Sequence, residues 1–124
     1  KDGKPLFSFG NMGGGYQPIG HVSILTNIID FGMIIQEAGG APRWSHTGST
    51  QPTDPVDEKL TGPGQLSLES ALGFDVIRAL RAKGHRVQMG NSFFGRYQGI
   101  MRDHENGVWL GASESRVDGQ AVGY

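Results

Sequence analysis

The spacing of apolar residues divides the chain into strands and helices. Leu6-Phe7-Ser8-Phe9 is a short aromatic run bounded by Pro5 and Gly10, which predicts a buried strand that leads into a glycine-rich loop. In residues 20–33, apolar residues recur at helical spacing, and further apolar residues cover most of the opposite side. This segment is therefore predicted to be a helix that is buried nearly all round.

The same patterns predict the rest of the chain. The expected elements are a helical turn at 36–38, strands at 43–46, 66–69 and 85–89, a helix from Ser70 to Gly84, and strands at 95–102 and 108–112. Asn106-Gly107 predicts a hairpin between the last two strands, and the Gly- and Pro-rich stretch 47–65 predicts a long loop. This order of elements indicates an α+β fold.

Composition excludes several classes of function. Lys plus Arg number 11 and Asp plus Glu number 12, so no basic face for nucleic acid is expected. The longest apolar stretch, 22–35, is interrupted by polar residues and glycine, so no membrane span is predicted. The absence of cysteine excludes disulfides, thiolate metal sites and a cysteine nucleophile.

The clearest chemical feature is the glycine-rich stretch GNMGGGYQPIGH, residues 10–21. Amide groups at the start of a helix bind anions, so the loop is either an anion cradle or a tight turn without a ligand. It is not a dinucleotide loop, because Pro18 stands where the last glycine of that pattern belongs. The four histidines lack metal-ligand spacing, so no metal and no cofactor is predicted.

Four blocks in order carry a family resemblance: GNMGGGYQPIGH, IIDFGMIIQEAGGAPRW, FGRYQGI and the terminal GASESRVDGQAVGY. Together they resemble the C-terminal part of the small subunit of gamma-glutamyltranspeptidases. The resemblance implies the four-layer αββα fold of N-terminal nucleophile hydrolases, with residues 1–124 forming only its C-terminal portion. It also implies a self-cleaving precursor, or zymogen, whose nucleophile-bearing segment lies upstream of this chain.

The resemblance implies a reaction and a site as well. A threonine freed by autoprocessing takes the gamma-glutamyl group from a glutathione-like amide and passes it to water or an amino acid. Gly13 and Gly14 match the pair whose amides form the oxyanion hole. The neighbouring residues, predicted to contact substrate, are Asn11, Met12, Gly15 and Tyr16. The partners implied are the remainder of the precursor and a small amide substrate, and the isolated chain is predicted to be inactive.

Two alternatives remain open at this stage. Asn11-Met12 stands where the best-known members have Ser-Pro, which resembles the transferase-like and acylase-like branch and leaves a cephalosporin or glutaryl amide acylase as one alternative. The other is a non-catalytic binding module derived from the family.

The resemblance favours a periplasmic or extracellular location and leaves a cytoplasmic one open. His21 is expected either to hydrogen-bond near the loop or to cap the helix that follows it, and the cap is favoured. Arg116 is expected to pair with Asp118.

Overall fold

The computed structural model describes residues 1–48, 64–90 and 93–123. Within them the chain forms two compact units. Unit 1 consists of Lys1–Ala41 and Phe94–Tyr124, and unit 2 consists of Pro42–Phe93. No helix in the described residues is long and apolar enough to cross a membrane.

Unit 1 is a three-stranded antiparallel sheet with two helices packed on it. Its elements are β1 (Phe7–Met12), α1 (Gln17–Ile29), α2 (Ile35–Gly40), β5 (Arg96–Asp103) and β6 (Val108–Ser113). The strand order is β1-β5-β6, and Asn11 of β1 lies opposite Tyr97 of β5. The predicted hairpin is confirmed, because β5 and β6 pair antiparallel across the Asn-Gly turn.

The core of unit 1 lies between the helices and one face of this sheet. Its buried members are Ile24, Ile35, Ala38, Tyr97 and Ala112. Phe7 and Phe9 pack against them from β1, whereas the alternate residues Ser8 and Gly10 are exposed. This alternation follows from the two-residue period of a strand.

Two predictions for the first helix need correction. α1 begins at Gln17, before the predicted start, because Pro18 occupies its first turn, where a missing N–H costs nothing. It is also not buried all round, since Val22 is 64% exposed and Ile29 is 72% exposed. Only the side that carries Gly20 and Ile24 is buried.

Unit 2 is a mixed three-stranded sheet with one helix. Its elements are β2 (Trp44–Thr47), β3 (Gln65–Leu68), α3 (Phe74–Ala82) and β4 (Val87–Met89). β2 pairs antiparallel with β3, and β3 pairs parallel with β4 through the α3 crossover. The core is formed by Leu66, Leu68, Ile77 and Val87. Of the loop predicted at 47–65, residues 49–63 lie outside the described residues.

An ion pair with a buried carboxylate joins the terminal segment to the rest of unit 1. The carboxylate of Glu114 accepts a hydrogen bond from Arg116 Nη1 at 2.8 Å and another from the Tyr97 amide at 2.9 Å. Arg116 also donates to the carbonyls of Gly39 and Ala41. The expected partner, Asp118, is therefore wrong; Glu114 is buried and Asp118 is exposed.

Candidate functional site

The glycine loop occupies the connection between β1 and α1. β1 ends at Met12, a single 3₁₀ turn spans Gly14–Tyr16, and α1 starts at Gln17. The loop is closed by the Tyr16 amide, which donates to the Gly13 carbonyl at 3.0 Å. The strand predicted to lead directly into this loop is thus confirmed.

Backbone conformation explains why glycine stands at two of these positions. Gly13 has φ 154° and ψ 24°, and Gly14 has φ 56°. A side chain disfavours both conformations, and only glycine adopts them readily. A left-handed residue followed by right-handed helical ones is a backbone arrangement in which successive N–H groups form an anion-binding concavity.

The amide groups of this loop are available to a ligand. Among the described residues, the N–H groups of Gly13, Gly14 and Gly15 have no acceptor. No side chain caps the 3₁₀ turn or α1, and no acidic residue lies in the first turn of either. Residues 10–20 carry no charged side chain. Within the loop itself, stabilisation of negative charge would therefore come from the backbone amides and the positive end of the helix dipole. Arg96 lies opposite Met12 on the neighbouring strand β5.

The predicted substrate contacts fall into two groups by position. Met12 is 53% exposed and Gly15 is exposed, so both lie at the surface of the loop. Asn11 is 1% exposed and Tyr16 is 8% exposed, and both lie beneath it. Contact between these four residues and a substrate stays a prediction.

His21 does not cap the helix as expected. Its Nε2 accepts a hydrogen bond from the backbone N–H of Asn11 at 3.0 Å. The imidazole ring also meets the ring of Phe9 edge-on, with centroids 5.5 Å apart and an interplanar angle of 85°. The less favoured expectation, a hydrogen bond near the loop, is the one observed. The sequence did not identify its partner, because the two residues are ten positions apart and no local pattern pairs a strand amide with a helix histidine.

A surface groove of unit 1 lies away from the glycine loop. A groove of 710 Å³ runs over the sheet and is lined by Gly10, Gln98, Trp109 and the segment 121–123, among others. None of residues 11–16 lines it. The lining of this groove is mostly apolar and contains no charged side chain, whereas a binding site usually combines apolar walls with a few convergent polar groups. No group of three or more metal-ligating side chains is present in the described parts of the chain.

Comparison with known proteins gives a consistent result along the whole sequence. The family model described as Gamma-glutamyltranspeptidase matches residues 1–124. The chain is 33% identical over 126 residues to the glutathione hydrolase-like YwrD proenzyme of Bacillus subtilis strain 168, covering 99% of this chain and 22% of that protein. It is 34% identical over 128 residues to the oxamate amidohydrolase proenzyme of Klebsiella pneumoniae, again covering 99% and 22%.

A solved structure agrees with these relatives. Cephalosporin acylase from Bacillus halodurans matches with a TM-score of 0.78 and 37% identity, over 97% of this chain and 20% of that one. The chain therefore spans about a fifth of the length of these three proteins. The mixed α and β content is that of a partial segment of an N-terminal nucleophile hydrolase, which confirms the predicted fold class. By sequence and by fold, the chain belongs to the gamma-glutamyltranspeptidase family.

Proposed function

We propose that residues 1–124 form the C-terminal part of the small subunit of a gamma-glutamyltransferase or amidohydrolase, and that Gly13 and Gly14 form its oxyanion hole. The observation that carries this proposal is the run of three consecutive amides without an acceptor at the uncapped start of α1. A structural helix start usually satisfies such groups with a side-chain cap, and none is present here.

The proposed reaction is acyl transfer through a covalent intermediate. A threonine hydroxyl on the upstream segment attacks the amide carbonyl carbon, its proton goes to the threonine's own amine, and the carbonyl oxygen becomes negative. The Gly13 and Gly14 amides donate to that oxygen. The C–N bond then breaks and the amine leaves with the proton. Water or an amino acid attacks the resulting ester and gives its proton to the threonine amine; the ester C–O bond breaks, the threonine oxygen takes that proton, and the acyl product leaves.

The remainder of a longer precursor is the proposed partner. This is supported by the share of the relatives that the chain spans, about a fifth, and by the word proenzyme in their names. The outer side of α1 also supports it, since Val22, Ile29 and nearby Phe31 are 64–72% exposed. Exposed apolar residues on one side of a helix are typical of a surface that another element covers.

The direct test replaces Gly14 with alanine in the full-length gene product. Because one donor is lost or misdirected, kcat should fall by about 10² to 10³-fold. KM should change much less, because the oxyanion exists only in the transition state. Steady-state kinetics on a gamma-glutamyl anilide measures both parameters.

Gly84→Ala is the matched control. Gly84 also has a positive φ, 90°, and a methyl group there meets no atom within 4 Å, as at Gly14. The two variants therefore introduce similar backbone strain, but Gly84 lies at the end of α3 in unit 2. A matured Gly14→Ala enzyme with the kcat of the Gly84→Ala enzyme would contradict the oxyanion hole and leave the loop as a turn.

An acylase is the second candidate, and specific similarities favour it. The solved acylase is 37% identical to this chain, and Asn11-Met12 precedes the glycine pair. A panel of matched gamma-glutamyl and glutaryl anilides separates the two, because these substrates differ in the α-amino group alone. A higher kcat/KM for the glutaryl substrate would assign an acylase.

The third candidate, a non-catalytic module, makes a different prediction. It requires no Thr, Ser or Cys at a self-cleavage point in the complete reading frame, and it requires no turnover of either anilide. The enzyme hypothesis expects such a residue, and it expects activity only from the full protein, with none from residues 1–124 alone. Turnover by the isolated chain would contradict the proposed location of the nucleophile.

A further inference from the structure

The hydrogen bond between Asn11 and His21 joins the two ends of the glycine loop. Asn11 is the penultimate residue of β1, and His21 is the fifth residue of α1. The bond is 3.0 Å long, and the segment that it encloses contains Gly13 and Gly14. The start of the loop is therefore tied to the helix rather than to the strand alone.

The chemistry of this bond defines the state of the histidine. A backbone N–H only donates, so Nε2 must accept and carries no proton. The neutral imidazole accordingly holds its proton on Nδ1, a tautomer inferred from the bond. The edge-on contact with Phe9 orients the same ring from a second direction.

The side chain of Asn11 is held in place by close packing beneath the loop. It is 1% exposed, and neither of its amide atoms has a hydrogen-bond partner among the described residues. A methyl group at Gly20 or at Gly95 would overlap it. Close packing therefore locates the side chain, and the His21 bond locates the backbone of the same residue.

We propose that His21 is a positioning residue for the oxyanion hole: it holds the Asn11 amide and so aims the amides of Gly13 and Gly14. This inference rests on the function proposed above. An error of about 1 Å in the position of a reacting group can cost about 10²-fold in rate. Loss of the tie should therefore lower kcat by about 10 to 10²-fold and leave KM nearly unchanged.

The test compares three variants in the full-length protein. His21→Leu removes the acceptor, whereas His21→Gln places a carbonyl oxygen near the former Nε2 position and should restore most of kcat. Ser23→Ala is the matched control, because Ser23 Oγ bonds the Ile19 carbonyl within α1 and does not reach the loop. Its kcat should stay within about twofold of the parent, since it removes one hydrogen bond inside a helix.

The outcomes separate the two proposals. If Gly14→Ala is slow and His21→Leu has the kcat of Ser23→Ala, the positioning role is wrong and the oxyanion hole stands. If His21→Gln loses as much kcat as His21→Leu, the acceptor role is wrong. A normal kcat for Gly14→Ala overturns the oxyanion hole, and the positioning role of His21 with it.

A spectroscopic readout covers the case in which His21→Leu does not mature. Long-range ¹H–¹⁵N correlation on the parent enzyme labelled at histidine distinguishes the two neutral tautomers, with His21→Gln identifying the signal. The inference requires an unprotonated Nε2 on His21. A signal from the opposite tautomer would overturn it.

Discussion

Two groups of glycines in unit 1 serve different purposes. Gly14 and Gly15 lie in the loop, where an added methyl group would meet no atom within 4 Å. Gly20 and Gly39 lie in α1 and α2, where a methyl group would overlap side chains already in place. In the loop, glycine leaves the backbone amides open to a ligand; in the helices, it leaves room for a neighbour.

The side chains that pack against these helix glycines belong to one cross-strand pair. Asn11 and Tyr97 lie opposite each other on β1 and β5 and are 1% and 0% exposed. The four glycines whose methyl groups would overlap them are Gly20 and Gly95 beside Asn11, and Gly39 and Gly99 beside Tyr97. The layer beneath the loop is thus packed around two polar-tipped side chains.

Gly39→Ala should have the largest effect on stability. Its methyl group would lie 3.0 Å from Tyr97 Cγ and nearer still to two other ring carbons, and Tyr97 is fully buried. Overpacking of this kind costs about 1–3 kcal/mol, and we expect the upper end. Denaturant unfolding of the full-length protein measures this cost, and kcat per folded enzyme should be retained. An unchanged unfolding free energy would show that the layer beneath the loop is loosely packed.

Gly14→Ala should give the opposite combination. Its left-handed backbone makes a side chain unfavourable by about 1–2 kcal/mol, yet its methyl group meets no atom. The unfolding free energy should therefore fall less than in Gly39→Ala, while kcat falls far more. The same denaturant series and kinetics measure both values. Parallel losses of stability and kcat in the two variants would erase the distinction between the two groups.

Gly15→Ala should have a small effect that sharpens the role of the loop. Gly15 has no positive φ and lies in the 3₁₀ turn, so alanine should raise the unfolding free energy by about 0.4–1 kcal/mol through the unfolded state. If Gly15 contacts substrate as predicted, KM should rise with kcat unchanged. Initial-rate kinetics and thermal melts measure these effects. A lower kcat at unchanged KM would instead place Gly15 in the oxyanion hole.

The smallest effect is expected at a turn remote in sequence from both groups. Hydrogen bonds from the side chain and then the backbone of Asn106 lower the pKa of Asp103 below its usual value. The contribution of this carboxylate to stability is present above about pH 4 and is lost as the pH falls through the lowered pKa. Melting temperatures of the parent and of Asp103→Asn should differ slightly at neutral pH and converge in acid. A difference that grows in acid would contradict the direction of the shift.

Local patterns in the sequence predicted the parts of this fold that depend on neighbouring residues. The hairpin at Asn106-Gly107 and the strand before the glycine loop are examples, because turn chemistry and alternation determine them. The parallel pairing of β4 with β3 was not predicted, since no residue in residues 85–89 identifies its partner strand.

The candidate site likewise has features that the sequence predicted and features that it did not. The resemblance predicted Gly13 and Gly14 as the oxyanion pair, and that role stays a proposal. The positive φ angles at both positions explain why glycine stands there. The tie from His21 and the fit of Asn11 between Gly20 and Gly95 depend on contacts between segments distant in sequence. The prediction that α1 is buried all round was wrong, because hydropathy shows which residues are apolar but not whether other parts of the structure cover them.

The division of unit 1 into two chain segments has a consequence for folding during synthesis. Unit 2 is continuous in sequence. In unit 1, by contrast, β1 pairs with a strand that comes much later in the chain, since Phe7 lies opposite Met101. Closing so long a loop is entropically unfavourable and slow, and translation delivers β1 first. On the ribosome, β1 therefore remains without its β5 partner until β5 emerges, and any chain released before that point lacks the strand pairing that supports the loop.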